Sequence, residues 1–238
     1  GGKVVESEYL QRFFPNAQSQ NIFCEVSNTY IFDPSFPRQL AKLGSEVDLI
    51  AVLRDPVDRA ISHVHQLMRN GERFDSFESA LYQRPDILAR GLYVNYLNNY
   101  TELPSHVTLH IFSFKEMAEA EEEFKKRLIE TLGLDASSFT DVKANKFSRT
   151  VPRSPVLAAL VKKTAILLRH FGFIATIQRV KDSFIPALLY APATRDRELI
   201  PRRETLIFMR KFFYLSDLEL SRQWGVDTNK WQSQASDV

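Results

Sequence analysis

Apolar residues change their spacing along this chain, and the changes predict where strands give way to helices. Val47 to Leu53, VDLIAVL, is apolar except at Asp48, the pattern of a central strand in a parallel sheet. Asp55 then reads as a helix N-cap with Pro56 at the first helical position, and the helix runs to about Asn70, where Gly71 ends it. His106 to Phe112, HVTLHIF, sets Val107, Leu109 and Ile111 against Thr108 and His110 and predicts a second strand. Ile22 to Cys24 reads as a short buried strand, and Pro37 to Leu43 as a helical turn with Gly44 as its C-cap. Helices are predicted over Glu6 to Phe14, ahead of Pro15, over Ser76 to Tyr82, over Asp86 to Leu103, and over Glu116 to Leu132 with Gly133 closing it. A loop rich in Lys, Ser and Arg follows, Phe139 to Ser154. Pro155 opens a helix with apolar residues at 156, 157, 160, 161, 167, 168 and 171, and FIATIQRVKDSFIPALLYAP reads as a further helix broken at Pro186. Pro201 opens a last one that extends to about Trp224. Strands alternating with helices in the first half predict an α/β fold with a parallel β-sheet flanked by helices, followed by a helical C-terminal part. We expect one domain over 1–238, with an α/β core in 1–142 and a basic loop and helices in 143–238.

Charge changes this picture more than composition does. The net charge is only +2, but residues 143 to 211 carry fifteen Lys and Arg against four Asp and Glu, a net of +11 that leaves the remainder at −9. No aromatic and glycine pattern of an RNA-binding module accompanies the excess, so it points to small anionic ligands, anionic glycans or a membrane surface before nucleic acid. Solvated helix faces would account for it equally well. One cysteine, Cys24, excludes an internal disulfide framework and a cysteine metal cage and favours a reducing compartment, and the five histidines show no metal-ligand spacing. No apolar run reaches the roughly 20 residues of a membrane-spanning helix, and no signal peptide is visible.

Candidate chemistry gathers after the first strand. In open α/β sheets ligands bind at the carboxyl ends of the strands, where Arg54 stands. A helix N-terminus favours anions, and a guanidinium beside it adds a bidentate grip on phosphate. Ser62, about two turns into the helix, is close enough to share a terminal phosphate with Arg54. The alternative is structural: Arg54 pairs with Asp55 or Asp58, and Ser62 bonds back to the carbonyl four residues earlier. His63 and His65 read as helix-surface or packing residues, and the sequon Asn99-Tyr100-Thr101 as a chance match.

The stretch LRDPVDRAISH resembles the 3′-phosphate-binding motif of sulfotransferases that use 3′-phosphoadenosine 5′-phosphosulfate (PAPS), of the bacterial and heparan-sulfate type. Other segments agree in order: CEVSNTYIFDPSFPRQL is similar to the segment before the motif strand. GLYVNYLNNYTELPSHVTLHIFSFKEM is similar to the family's G-x-Y helix, next strand and acidic segment, ANKFSRTVPRSPVL to a basic PRS segment, and FYLSDLELSRQWGVDTNKW to the ending on a tryptophan, here Trp231. The resemblance implies a P-loop-NTPase-like sulfotransferase fold in which Arg54 and Ser62 bind the 3′-phosphate of the cofactor. It further implies that Phe114 contacts the adenine and that Arg153, in a loop with Lys146 and Arg149, closes over the cofactor. The implied activity is sulfuryl transfer to a hydroxyl or amine of a small-molecule, glycan or lipid acceptor, with adenosine 3′,5′-bisphosphate as product and with neither metal nor nucleic acid.

Two departures qualify what the resemblance implies. The family's upstream strand and PKSGTT-type donor loop have no counterpart here, and the chain opens Gly-Gly without Met; we expect the upstream part, with the general base, to be missing or replaced. Where the family has a Lys after the Glu of the segment before the motif strand, this chain has Val26 after Glu25, leaving Glu25 a weak catalytic candidate. A non-catalytic nucleotide-binding or scaffold module of the same fold is the second reading, and a nucleotide-dependent kinase a third, disfavoured for want of a metal-binding aspartate pattern. The expected location is cytoplasmic for a bacterial protein and the Golgi lumen for a eukaryotic one, and the sequence leaves oligomeric state open.

Overall fold

The computed structural model describes residues 22–135, 150–152, 190–192 and 199–232, with Val161 and Thr164. In chain order its elements are α1 (Phe36–Leu40), β1 (Val47–Leu53), α2 (Pro56–Arg69), α3 (Phe77–Gln83), α4 (Asp86–Ala89), α5 (Tyr93–Leu97), β2 (Val107–Ser113), α6 (Phe114–Glu119), α7 (Glu121–Thr131), β3 (Thr150–Pro152), β4 (Tyr190–Pro192), α8 (Arg203–Trp224) and α9 (Asn229–Gln232). Short 3₁₀ turns lie at Tyr30–Phe32 and Asn98–Tyr100. The fold is α/β: β1 and β2 form a small parallel pair with helices around it and a long helix near the C-terminus. The chain divides into two compact units, one of Gly1–Arg54, Leu92–Ser138 and Ser216–Asp227, the other of Asp55–Gly91, Phe139–Leu215 and Thr228–Val238.

In the first unit the parallel register runs from Val47 opposite Val107 to Leu53 opposite Ser113. Leu53, Val107 and Phe112 are buried, and Phe112 takes Phe124 of α7 edge-on at 5.4 Å between ring centroids, which fixes α7 to β2. An apolar run such as β1 predicts cover on both faces, but Ile50 and Val52 are 39% and 41% exposed, so the face they share with Asp48 stays partly open. The helix expected over Glu116 to Leu132 starts two residues earlier and breaks at Ala120, whose extended φ of −130° separates α6 from α7. Three glutamates, Glu121 to Glu123, then fill the first turn of α7, where the helix dipole favours negative charge. Gly133 closes α7 in the left-handed region at φ 60°, as its position predicts. By contrast α1 ends at Leu40, Lys42 and Leu43 continue it with tight turns onto Gln39 and Leu40, and Gly44 does not take the left-handed conformation of a glycine cap. Nor do Ile22 to Cys24 form a strand: they have no regular structure, and Ile22 and Phe23 are exposed. Three strand-forming residues cannot hold that conformation without a neighbouring edge to pair with.

The second unit is built on α2. Val57, Ala60, Val64 and Leu67 recur at helical spacing, all are buried, and α2 packs on α4. Asn70 and Gly71, the latter at φ 101°, end it where the sequence predicts. Ser76 opens α3 with a capping box shared with Ser79. The helix expected from Asp86 to Leu103 is instead broken, and Gly91 shows why. A Cβ there would lie 2.6 Å from Phe213 Cε1 and 3.1 Å from Pro56 Cβ, so the chain turns at the residue that lets those two side chains approach. Thr150–Pro152 and Tyr190–Pro192 pair as a short antiparallel ribbon, within stretches expected to be loop and helix. Only Tyr190–Pro192 from the end of that expected helix is described, and its partner across the ribbon overrides a three-residue helical preference. The predicted helix over Glu6 to Phe14 lies outside the described residues, as does the one from Pro155 apart from Val161 and Thr164, both helical.

Candidate functional site

At the carboxyl edge of the parallel pair, register does the positioning. Leu53 and Ser113 are paired across β1 and β2, so Arg54 and Phe114 leave the two strands side by side. Ser113 also caps α6, its hydroxyl accepting from the Lys115 N–H at 3.2 Å, which sets Phe114 as the first helical residue. The Arg54 backbone is fixed by the buried Tyr93, whose hydroxyl donates to the Arg54 carbonyl at 2.9 Å. Arg54, half-buried, then places its guanidinium 4.9 Å from the centre of the Phe114 ring. Such a cation–π contact contributes roughly 0.5–1 kcal/mol, and stacking on a ring is compatible with in-plane N–H groups engaging an anion. Two of the residues picked out in the sequence are thus neighbours in one unit.

Ser62 belongs to the second unit. It is half-buried on α2, and its hydroxyl makes no hydrogen bond to another described residue, so the expected alternative of a bond to the carbonyl four residues earlier is not the one adopted. The start of α2 is organised by Asp55, 7% exposed, one oxygen of which accepts from the N–H groups of Val57 at 2.8 Å and Asp58 at 3.3 Å. The other oxygen receives Arg210 Nη1 at 2.6 Å. Sequence reasoning found the cap and missed Arg210. The available signal was an arginine flanked by Met209 and Phe213, at the edge of a buried stripe where only a buried partner would hold it. His63 has its pKa lowered by burial and by the charge of Arg59, and His65 is hydrogen-bonded through Nε2 to the Leu199 carbonyl at 3.0 Å. Arg59 is itself bonded to the Ile87 carbonyl. Both histidines therefore serve packing and internal hydrogen bonding.

Glu25 is exposed and accepts a hydrogen bond from the Tyr30 hydroxyl, which raises the Tyr30 pKa. Tyr30 stacks on Phe36 at 4.2 Å, so the hydroxyl that Glu25 accepts from belongs to a ring held against α1. Arg153, Lys146 and Arg149 lie outside the described residues. An open cleft of about 270 Å³ lined by Pro34, Pro37, Arg38, Ala41, Asn99, Glu102 and Pro104 belongs to the first unit. Pro104 precedes β2, which puts that cleft at the amino ends of the strands, roughly 20 Å of strand away from Arg54. Ligands of parallel sheets bind at the opposite end, and the cleft therefore adds nothing to the Arg54 site. Among the described residues no group of three or more His, Cys, Asp or Glu gathers as a metal site, and no helix is long and apolar enough to cross a membrane. Comparison with known family models and with curated proteins gives no match to this chain.

Proposed function

We propose that this chain is a PAPS-dependent sulfotransferase, or the greater part of one, and that Arg54 and Phe114 form the nucleotide end of its donor site. The observation that carries the reading is the contact of the Arg54 guanidinium with the Phe114 ring at the carboxyl edge of the parallel pair. A ligand that offers a phosphate close to an aromatic base suits a cation and an aromatic face held next to one another, and a 3′-phosphorylated adenosine is such a ligand. Ser62, eight positions after Arg54, is the second position of the motif that the resemblance matches. Phe114 takes the base and Tyr93 keeps the Arg54 main chain in place. The bound donor supplies an activated sulfuryl group: an acceptor oxygen or nitrogen forms a bond to sulfur as the bond from sulfur to the 5′-phosphate oxygen breaks. The acceptor loses a proton, and adenosine 3′,5′-bisphosphate leaves. Arg54 and Phe114 orient the nucleotide and do not touch sulfur, so rate depends on them through positioning.

The test is calorimetric titration of the chain with adenosine 3′,5′-bisphosphate and with AMP. A charge-assisted contact predicts tighter binding of the bisphosphate by about 2 kcal/mol, roughly thirtyfold, and Arg54→Ala should erase the difference. Equal affinity for the two ligands, or binding of neither, sinks the proposal and leaves Arg54 a structural residue.

A further inference from the structure

A cluster of charges lies between α2 and α4, and an imidazole sits inside it. His63 is half-buried on α2, four residues after Arg59, and Arg59 Nη1 lies 3.5 Å from its Nδ1. A guanidinium can only donate, so Nδ1 is the acceptor and carries no proton. The same guanidinium donates through Nη2 to the carbonyl of the buried Ile87 on α4. His63, Arg59 and Ile87 thus make a continuous link from one helix to the other, added to the packing of α2 on α4.

The charges nearby favour a neutral ring. Arg59 of α2, Arg90 just after α4 and Arg84 just before it each oppose a proton on His63, and Asp86 of α4 favours one. Asp86 is already shared between two of those guanidiniums: Oδ1 takes Arg84 Nε at 3.1 Å, while Oδ2 takes Arg84 Nη2 at 3.3 Å and Arg90 Nε at 3.7 Å. Glu72, which follows α2, is engaged by Arg84 Nη1 at 2.5 and 2.6 Å. β3 also packs on α2 but has no ionisable side chain in Thr150–Pro152, and Arg210 of α8 meets α2 eight residues away, at Asp55. Burial opposes the charged ring most strongly, the Arg59 charge comes next, and together they hold the His63 pKa below its ordinary value. A proton on Nδ1 would turn the acceptor into a donor and set one cation 3.5 Å from another.

We propose that this link is a pH-sensitive clasp, in which proton uptake by His63 breaks its contact with Arg59 and loosens α4 from α2. The proposal does not depend on the nucleotide reading. Because the folded chain takes up this proton at lower pH than the unfolded one, the contribution of the clasp is complete above about 6.5 and is lost as the pH falls through the folded value.

Two measurements test it, on the parent chain and on variants. By NMR the His63 ring, assigned through its bonds to the backbone, should titrate below about 6.5, and Arg59→Met should move that midpoint up. Hydrogen exchange reads the second helix. Protection of the amides of Ile87 to Arg90, corrected for the intrinsic pH dependence of exchange, should fall at least about threefold from about pH 7.5 to about pH 5.5 in the parent. His63→Gln, which keeps an acceptor for Arg59 and cannot be charged, should hold that protection level. A His63 midpoint at or above about 6.5 would overturn the proposal, because Asp86 would then be welcoming the imidazolium. So would a midpoint that ignores Arg59→Met, or an equal loss of protection in the parent and His63→Gln, since another group would then be sensing the proton. If His63→Gln does not fold, the parent midpoint and its response to Arg59→Met decide alone.

Discussion

Arg54 and Arg210 show two uses of the same side chain. Arg54, at the carboxyl edge of the β1/β2 pair, lies over an aromatic ring with its guanidinium 4.9 Å from the ring centre. Arg210 meets one oxygen of a buried carboxylate at 2.6 Å, and the other oxygen of that carboxylate already caps a helix. The second arrangement is a closed hydrogen-bonded unit in which removal of one member strands the others. The first sets a cation beside an aromatic surface at the strand ends, an arrangement suited to recognition. The contrast teaches that burial of the partner, more than the presence of an arginine at an element's end, separates a structural cation from a recognition candidate.

The largest effect should therefore come from Arg210. Arg210→Met removes the counter-charge of Asp55 while keeping most of the aliphatic volume, and it leaves a carboxylate that is 7% exposed without its ion pair. Losing one partner of such a pair costs about 3 kcal/mol. Urea unfolding should show a lower midpoint at constant slope. Asp55→Asn, which retains the helix cap, should make the second change Arg210→Met nearly neutral. If the two substitutions instead add, the ion pair is not what holds Arg210 in place.

Arg54→Ala should invert that pattern. Stability should fall by less than it does in Arg210→Met, while discrimination for the 3′-phosphate should fall by about 2 kcal/mol. A stability loss as large as that of Arg210→Met would place Arg54 with the structural cations and collapse the comparison.

The strand β1, the Asp55 cap, the span of α2 and the glycine ends at 71 and 133 were legible because local chemistry decides them: an apolar run, a short acceptor before Pro56, a residue that tolerates positive φ. What was not legible depends on residues distant in sequence. The break at Gly91 is dictated by Phe213, and the strand character of Tyr190–Pro192 by a partner forty positions earlier. At the candidate site, Arg54 and Phe114 each stood out in the sequence, but their adjacency follows from a register that only the paired strands define. Arg210 was silent for the same reason, since its partner is 155 residues away.

Gly91→Ala tests the setting of the Arg210 pair without touching it. The added methyl would meet the Phe213 ring at 2.6 Å and Pro56 at 3.1 Å, and those residues adjoin the two ends of the ion pair, Pro56 next to Asp55 and Phe213 one turn from Arg210. Overpacking at such a point should cost about 1.5 kcal/mol. Part of that cost should be absent in the Arg210→Met background, where α8 no longer has an ion pair to keep. Full additivity would show that the packing contact and the ion pair act independently.

The smallest effect concerns the start of α8. Burial alone would raise the Glu78 pKa, but the Arg202 N–H at 3.0 Å and the Thr205 hydroxyl at 2.7 Å both donate to its carboxylate, and with the Arg202 charge they hold it down at about 2. A carboxyl with a depressed folded-state pKa contributes stability that is complete above its unfolded value and disappears as the pH falls through the folded one. Unfolding midpoints should therefore decline from the ordinary carboxylate range down to about 2, and Glu78→Gln should flatten part of that decline. The gain near neutral pH is below about 1 kcal/mol, because the side chain is a third exposed and solvent screens it. Parallel acid profiles for the parent and Glu78→Gln would mean that Glu78 does not anchor the start of α8, leaving Arg210 and Phe213 to hold that helix on α2.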